Sequence, residues 1–340
     1  TGTMLKSKSP GVRITTDAIT EDIYQRIQET IQNIRIYTKG GNTMRILIYG
    51  AGVIGSFYAS RFAKAGLDVT VLARGQRLKE LQGHGLWYRG KTRTHKVEVK
   101  TISELKPNDR YQFIFLTVRE NQVEEALEDI SRNESPNVVT MVNTIKPYGR
   151  WEKICGKGRI LPAFPGAGGC IEGGILDAQL LPRAIQPTTF GEIGGRKSSR
   201  EEALAYIFRK SHIPYQIVPE MHHWQISHLG VIIPLADAYY QSRHPEKICA
   251  NEKLMTLTAY RMKKNLKWIA QKGMLCPAKL YMIKDMPTGM LAGVLSRVYQ
   301  SEFGNRFLYR HAMHAPEEFQ RLHQEFYNYM KTHTKESNKT

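Results

Sequence analysis

The stretch that most constrains the fold begins at Met44 and reads MRILIYGAGVIGSFYASRFAKAGLDVTVLAR. Residues 45–49 are a short apolar run of the kind found in strands buried on both faces of a parallel sheet. Gly50-Ala51-Gly52-Val53-Ile54-Gly55 follows without a gap, residues 56–65 have helical composition, Gly66 closes that helix, and residues 68–72 read as a second strand. Strand, G-x-G-x-x-G turn, helix and strand within about thirty residues make the Rossmann dinucleotide-binding unit. Gly50 permits the tight turn, Gly52 lets the backbone approach a pyrophosphate, and Gly55 lets helix and strand pack closely. Ala51, Val53 and Ile54 complete the turn and open the helix, whose free N–H groups and positive dipole end favour phosphate.

The end of the second strand selects between cofactors. An NAD site places Asp or Glu there for the ribose 2′-hydroxyl, whereas this chain reads Leu72-Ala73-Arg74-Gly75-Gln76-Arg77. An arginine suits a 2′-phosphate, which accepts a forked donor. NADP is therefore the expected cofactor, with Arg74 the first candidate and Arg77 the second.

Further strands are expected over residues 111–118, 137–142 and 159–164, with a helix over 122–130 and a last helix–strand unit over 201–210 and 215–218. From Met221 only helical periods occur, broken at Pro245, Pro277, Pro287 and Pro316. The expected fold class is α/β, an N-terminal Rossmann-type doubly wound sheet followed by an all-helical C-terminal domain. The expected divisions are 1–43, an N-terminal appendage; 44–219, the NADP-binding Rossmann domain; and 220–340, a helical substrate domain. Within the appendage, Ile23, Ile27, Ile31 and Ile34 have a weak helical period and residues 39–42 read as a linker. Three loops fall beyond the carboxyl ends of strands, where ligands of such sheets bind: Arg119 to Gln122, Asn143 to Lys146, and Pro165-Gly166-Ala167-Gly168-Gly169. Arg119 suits a phosphate and Asn143 a nicotinamide or substrate hydrogen bond.

A net charge of +18, from 49 basic and 31 acidic side chains, favours anionic partners. The basic residues are dispersed and lack the aromatic interleaving of an RNA-binding module, so a small anionic substrate is favoured over nucleic acid. No apolar run approaches a membrane span, and four scattered cysteines without a C-x-x-C pair fit a reducing, cytoplasmic setting. A homodimer is left open.

The segment HHWQISHLGVIIP, from His222 to Pro234, raises metal and proton-transfer chemistry. A zinc helix pairs histidines at i and i+4, but the positions four beyond His222 and His223 hold Ile226 and Ser227, and His311 with His314 lacks a third ligand. No metal is expected. His228, four residues after Trp224, shares a stripe with Val231 and Leu235.

The chain from Met44 to about Lys331 resembles the ketopantoate reductase family. The resemblance rests on MRILIYGAGVIGS, LTVRENQ at 116–122, MVN at 141–143, ILPAFPGAGG, FGEIGG at 190–195, WxxxHxxxxxPLA at 224–236 and RHAxxAPEE at 310–318. It implies NADPH-dependent reduction of a small 2-oxo acid in a cleft between a Rossmann domain and a helical domain. It assigns Gly50, Gly52 and Gly55 to pyrophosphate, Arg74 to the 2′-phosphate, Arg119 and Asn143 to the cofactor, and Gly168 to the substrate-side loop. Glu318, or Glu317 one register away, matches the late glutamate that reaches the cofactor. The family's catalytic lysine, two residues after the tryptophan, is absent: Ile226 stands there, and Leu229, Gly230 and Ile233 stand in the region of the substrate-holding asparagines. Loss of such a proton donor costs on the order of 10²–10⁴ in rate. His228 and Lys146 are the candidate replacement donors. The alternative is a catalytically lapsed NADP-binding sensor or scaffold.

Overall fold

The computed structural model describes residues 44–337, with side chains through 334, and these residues form one compact unit. The appendage, its helical period and its linker lie outside the described residues. In chain order the strands are β1 (Arg45–Tyr49), β2 (Asp68–Leu72), β3 (Leu86–Arg89), β4 (Thr94–Val97), β5 (Lys100–Ile102), β6 (Phe113–Leu116), β7 (Val138–Met141), β8 (Ile160–Phe164), β9 (Ala167–Glu172), β10 (Ile175–Leu180), β11 (Thr188–Phe190) and β12 (Tyr215–Ile217).

Eight of them form one sheet in the order β12-β11-β8-β7-β6-β1-β2-β5. From β5 to β8 all neighbours are parallel, and the order β5-β2-β1-β6-β7-β8 is the doubly wound Rossmann order. The winding reverses between β1 and β6, so the ligand crevice of this sheet lies beyond Tyr49 and Leu116. β11 pairs antiparallel with β8, and β12 continues beside it. Ile46, Leu47 and Ile48 are fully buried because helices cover both faces. On one face Tyr58, Phe62, Phe115 and Phe208 pack in edge-to-face, tilted and stacked pairs, with centroids 5.0–6.5 Å apart.

The helices over the sheet are α1 (Val53–Lys64), α2 (Gly75–His84), α3 (Val123–Ser131), α4 (Gly149–Cys155) and α5 (Ser199–Lys210). Ser198 caps α5 by accepting from the Glu201 amide. The helical half follows as α6 (Met221–Gln241), α7 (Glu252–Gln271), α8 (Lys279–Asp285), α9 (Thr288–Gln300), a π-helical turn Gly304–Tyr309, α10 (Arg310–His314) and α11 (Pro316–Ser337). Its core is Ile226, Leu229, Ile233, Met262, Leu266, Ile269, Leu295 and Phe326. The prolines act as expected: Pro245 opens a 3-10 turn, Pro287 caps α9 and Pro316 begins α11.

The expected doubly wound sheet and all-helical second half are present, with the ends of expected elements moved by no more than three residues. One element differs. Pro165-Gly166-Ala167-Gly168-Gly169 is not a free loop, because Ala167–Glu172 is β9 in a separate four-stranded sheet of order β4-β3-β10-β9. Glycine weakens strand propensity, so AGGCIE lacks a strand signature; its pairing with Ile175–Leu180 supplies the order that propensity does not. Gly169 has no room for a side chain, since an added Cβ would meet the Asp177 carbonyl at 2.1 Å.

Candidate functional site

The glycine turn is built as its spacing requires. Gly50 has φ +111°, which L side chains rarely adopt. A Cβ on Gly55 would lie 1.9 Å from the Gly50 carbonyl oxygen and 2.6 Å from Thr117 Oγ1, so the turn and α1 touch without intervening side chains. A Cβ on Gly52 would meet nothing within 4 Å. That open space lies against the N-terminus of α1, whose first amides at Val53 and Ile54 have no intrahelical partner. Ala51 is buried beside them. Open backbone beside free helix N-terminal amides is the arrangement that phosphate binding requires.

Thr117, which the sequence reading did not single out, locks the turn across the switch point. Its hydroxyl donates to the Gly50 carbonyl at 2.8 Å, and its amide donates to the Tyr49 carbonyl at 3.0 Å. Only the pairing of β1 with β6 brings it there.

The two arginines after β2 divide. Arg77 is spent on structure: its guanidinium reaches the Ala51 carbonyl at 3.3 Å, Ser56 Oγ at 3.2 Å, Glu80 at 3.0 Å and the Gly174 carbonyl at 3.1 Å. It braces the glycine turn. Arg74 lies on the other side, half exposed, with Nη1 3.2 Å from Glu125 Oε1 and Nη2 3.1 Å from the Tyr49 hydroxyl. Arg119 is exposed and makes no ion pair or hydrogen bond to another described residue through its side chain.

Asn143 follows β7, two strands from β1 and so about 10 Å along the carboxyl edge of the sheet. Its Oδ1 is buried and has no hydrogen-bond partner among the described residues. Such an orphan is costly unless a ligand completes it. The loop continues into Lys146, whose ammonium pairs with Glu120 at 2.9 Å and Glu325 at 3.2 Å. Arg321 pairs with the same Glu120 at 3.2 Å. Lys146 thus clasps the loops after β6 and β7 to α11. Despite some desolvation, the carboxylates leave its pKa raised, which weakens it as an acid.

The three histidines of α6 have separate surroundings. His222 Nε2 lies 2.8 Å from the Ile145 carbonyl, and His223 is partly accessible nearby. Between them and the sheet, Gln225 donates to the Val142 carbonyl at 2.9 Å and accepts from the Tyr148 hydroxyl at 2.8 Å. These bonds seat the start of α6 on the Asn143 loop. His228 lies over the end of β8: its ring stacks on Trp224 at 5.1 Å and 9° and packs on Phe164 at 4.5 Å. It is partly accessible in an otherwise enclosed recess, and neither ring nitrogen has a hydrogen bond to another described residue. Enclosure, aided by the nearby His311, pulls its pKa down to about 3, so the ring is neutral at pH 7.

His311 on α10 is exposed close enough to His228 for their charges to interact, with its ring 5.2 Å from Phe319. Desolvation by the protein packed beside the ring lowers its pKa, against the opposing pull of Glu318. Glu318 is partly accessible near His311, while Glu317 is exposed. Gly168 sits within β9 under Phe307, whose Cδ1 is 3.0 Å from where a Cβ would be. It therefore marks a contact between the small sheet and the π-helical turn. Arg306 of that turn also pairs with Asp177 of β10. Ile226 faces away from the recess and is fully buried with Ile145, Leu229 and Ile233, so a lysine there would place its charge in an apolar core.

Among the described residues, no group of three or more His, Cys, Asp or Glu is arranged to hold a metal, and no helix is long and apolar enough to cross a membrane. The family model of the ketopantoate reductase PanE/ApbA matches residues 46–192, from β1 to just beyond β11. The 2-dehydropantoate 2-reductase of Mesorhizobium japonicum is 29% identical over 138 residues, which span 40% of this chain and 38% of that relative's length. The crystal structure of 2-dehydropantoate 2-reductase from Geobacter metallireducens GS-15 superposes with a TM-score of 0.60 at 19% identity, covering 82% of this chain and 94% of that one. A D-mandelate dehydrogenase solved with NADH and anilino(oxo)acetate superposes at 0.55 and 15% identity, covering 85% and 99%. At these identities the two structures share a fold with this chain.

Proposed function

Because residues 46–192 are a domain of the ketopantoate reductase family, we propose that this chain reduces a small 2-oxo acid to its 2-hydroxy acid with NADPH. The observation that carries the reading is the conjunction of an open pyrophosphate cradle at Gly52 with the unpartnered, buried Asn143 Oδ1 on the same sheet edge. The bound dinucleotide would supply the hydride. The first amides of α1 would hold its pyrophosphate, Arg74 its 2′-phosphate, with Arg119 exposed to a second phosphate oxygen, and Asn143 its nicotinamide ribose or the substrate.

In this account, His228 replaces the lysine by a different route. A neutral imidazole cannot act as a cationic acid, but its N–H can hydrogen-bond the carbonyl oxygen as negative charge develops there. Trp224 and Phe164 fix the ring plane, so the donor is oriented before substrate arrives. With His228 holding that oxygen, hydride delivered to the carbonyl carbon would leave its negative charge beside the N–H, and a water would supply the proton that the oxygen finally takes. Residues 44–219 would then form the cofactor half and residues 220–340 the substrate half, closed by the Lys146 clasp.

Consumption of NADPH with ketopantoate and related branched 2-oxo acids is the test. Turnover of at least one acid is expected. Tight NADPH binding with no consumption across the panel would favour the second reading, a lapsed NADP-binding sensor, for which the burial of Ile226 in the core is the supporting observation.

A further inference from the structure

Arg74 is the group on which a preference for NADPH rests, yet both of its Nη groups are already engaged. Nη1 pairs with Glu125 at 3.2 Å; Nη2 donates to the Tyr49 hydroxyl at 3.1 Å and lies 3.7 Å from Asp129 Oδ2. The Tyr49 hydroxyl in turn donates to Asp129 Oδ2 at 2.7 Å. A chain of contacts therefore runs from the guanidinium through tyrosine to a carboxylate on α3. A phosphate is read by a guanidinium as a fork of two parallel N–H donors, and every such fork of Arg74 draws on an Nη group already held by these partners. Two carboxylates beside one guanidinium also leave the neighbourhood net negative, and an arriving phosphate dianion is repelled.

The two carboxylates are unequal. The Glu125 side chain is 74% exposed and can swing into water at little cost. The Asp129 side chain is 28% exposed and tied by Tyr49, whose ring is buried in the sheet core. Asp129 cannot leave without breaking that bond.

We propose that Asp129, acting through Tyr49 and seconded by Glu125, is the specificity-determining counterweight to Arg74. It holds the guanidinium back from a 2′-phosphate and so narrows the margin by which the site prefers NADPH to NADH. The proposal rests on the reading of the glycine turn as a nicotinamide dinucleotide site.

Direct titration of NADPH and of NADH into the full chain, by calorimetry, reads the proposal without turnover. Asp129→Asn keeps an acceptor for Tyr49 while removing the charge. It is expected to tighten NADPH about three- to fivefold, the scale of one partly exposed ion pair, and to leave NADH unchanged. Glu125→Gln is expected to shift NADPH by less than about twofold, since its carboxylate is mostly solvated. Arg74→Gln should bring the two affinities together. An unchanged NADPH-to-NADH ratio in Asp129→Asn, or a weaker grip on NADPH, overturns the assignment while leaving the dinucleotide site standing. A wild-type chain that binds neither dinucleotide overturns the assignment and the site together.

Discussion

Gly52→Ala is expected to fold with an unchanged melting temperature and to lose at least about tenfold in dinucleotide affinity, whereas Gly55→Ala is expected to lose both stability and binding. The difference follows from what each new methyl group meets. At Gly52 there is nothing within 4 Å, so the folded chain accepts alanine freely. That same space is where a pyrophosphate must come within hydrogen-bonding distance of the backbone, and a methyl group would stand in it. At Gly55 the methyl would sit 1.9 Å from the Gly50 carbonyl oxygen and 3.0 Å from Ile48 Cγ2. Backbone and a fully buried strand must then separate, at about 1–3 kcal/mol or more, and the first turn of α1 moves with them. Thermal unfolding and dinucleotide titration on the same samples check both outcomes. Wild-type affinity in Gly52→Ala would mean that no phosphate approaches this turn.

His228→Phe is expected to lower kcat by about 10²–10⁴ while leaving NADPH affinity in place. Phenylalanine preserves the packing on Trp224 and Phe164 and removes only the N–H donor. The wild-type pH profile carries a second signature. A histidine cation acting as acid loses activity as pH rises through its ordinary value of 6.5. With a folded pKa of about 3, His228 is already neutral there, so kcat should show no descending limb near pH 6.5. His311 is the titratable group whose charge the ring feels; Glu318 lies near His311, whose own pKa is lowered from its ordinary value. The same shift predicts a stability effect. Between pH 6.5 and about 3 the unfolded chain takes up a proton at this site that the folded chain refuses. Its contribution is complete above pH 6.5 and declines as pH falls towards 3, and His228→Phe should shallow that acid limb.

The parallel sheet and the glycine turn were legible in the sequence because their signals are local: a buried apolar run, a fixed glycine spacing and a helix in register. The helical second half was legible from its period and its prolines. The small sheet was not, since AGGCIE acquires its strand character only by pairing with β10. Roles set by tertiary contact were also hidden. Thr117 reaches Gly50 across 67 residues of sequence, and Tyr49 meets Asp129 across 80. Arg77, paired with Arg74 in the sequence reading, braces the turn because Ser56 and Gly174 come to it in space. Lys146, a candidate donor from its place in the sequence, is held in ion pairs with Glu120 and Glu325. Ile226 shows the opposite case: the resemblance marked this position for a lysine, and the fold places it in an apolar core.

Transfer of the hydride itself tests the central claim most directly. The chain would be supplied with NADPH deuterated at the transferring position of nicotinamide C4 and with ketopantoate or a related branched 2-oxo acid, and the product analysed by mass spectrometry. One deuterium at C2 of the 2-hydroxy acid is the predicted result. NADPH bound but no deuterated hydroxy acid formed from any acid of the series would contradict a reductase and leave a dinucleotide-binding protein without this chemistry.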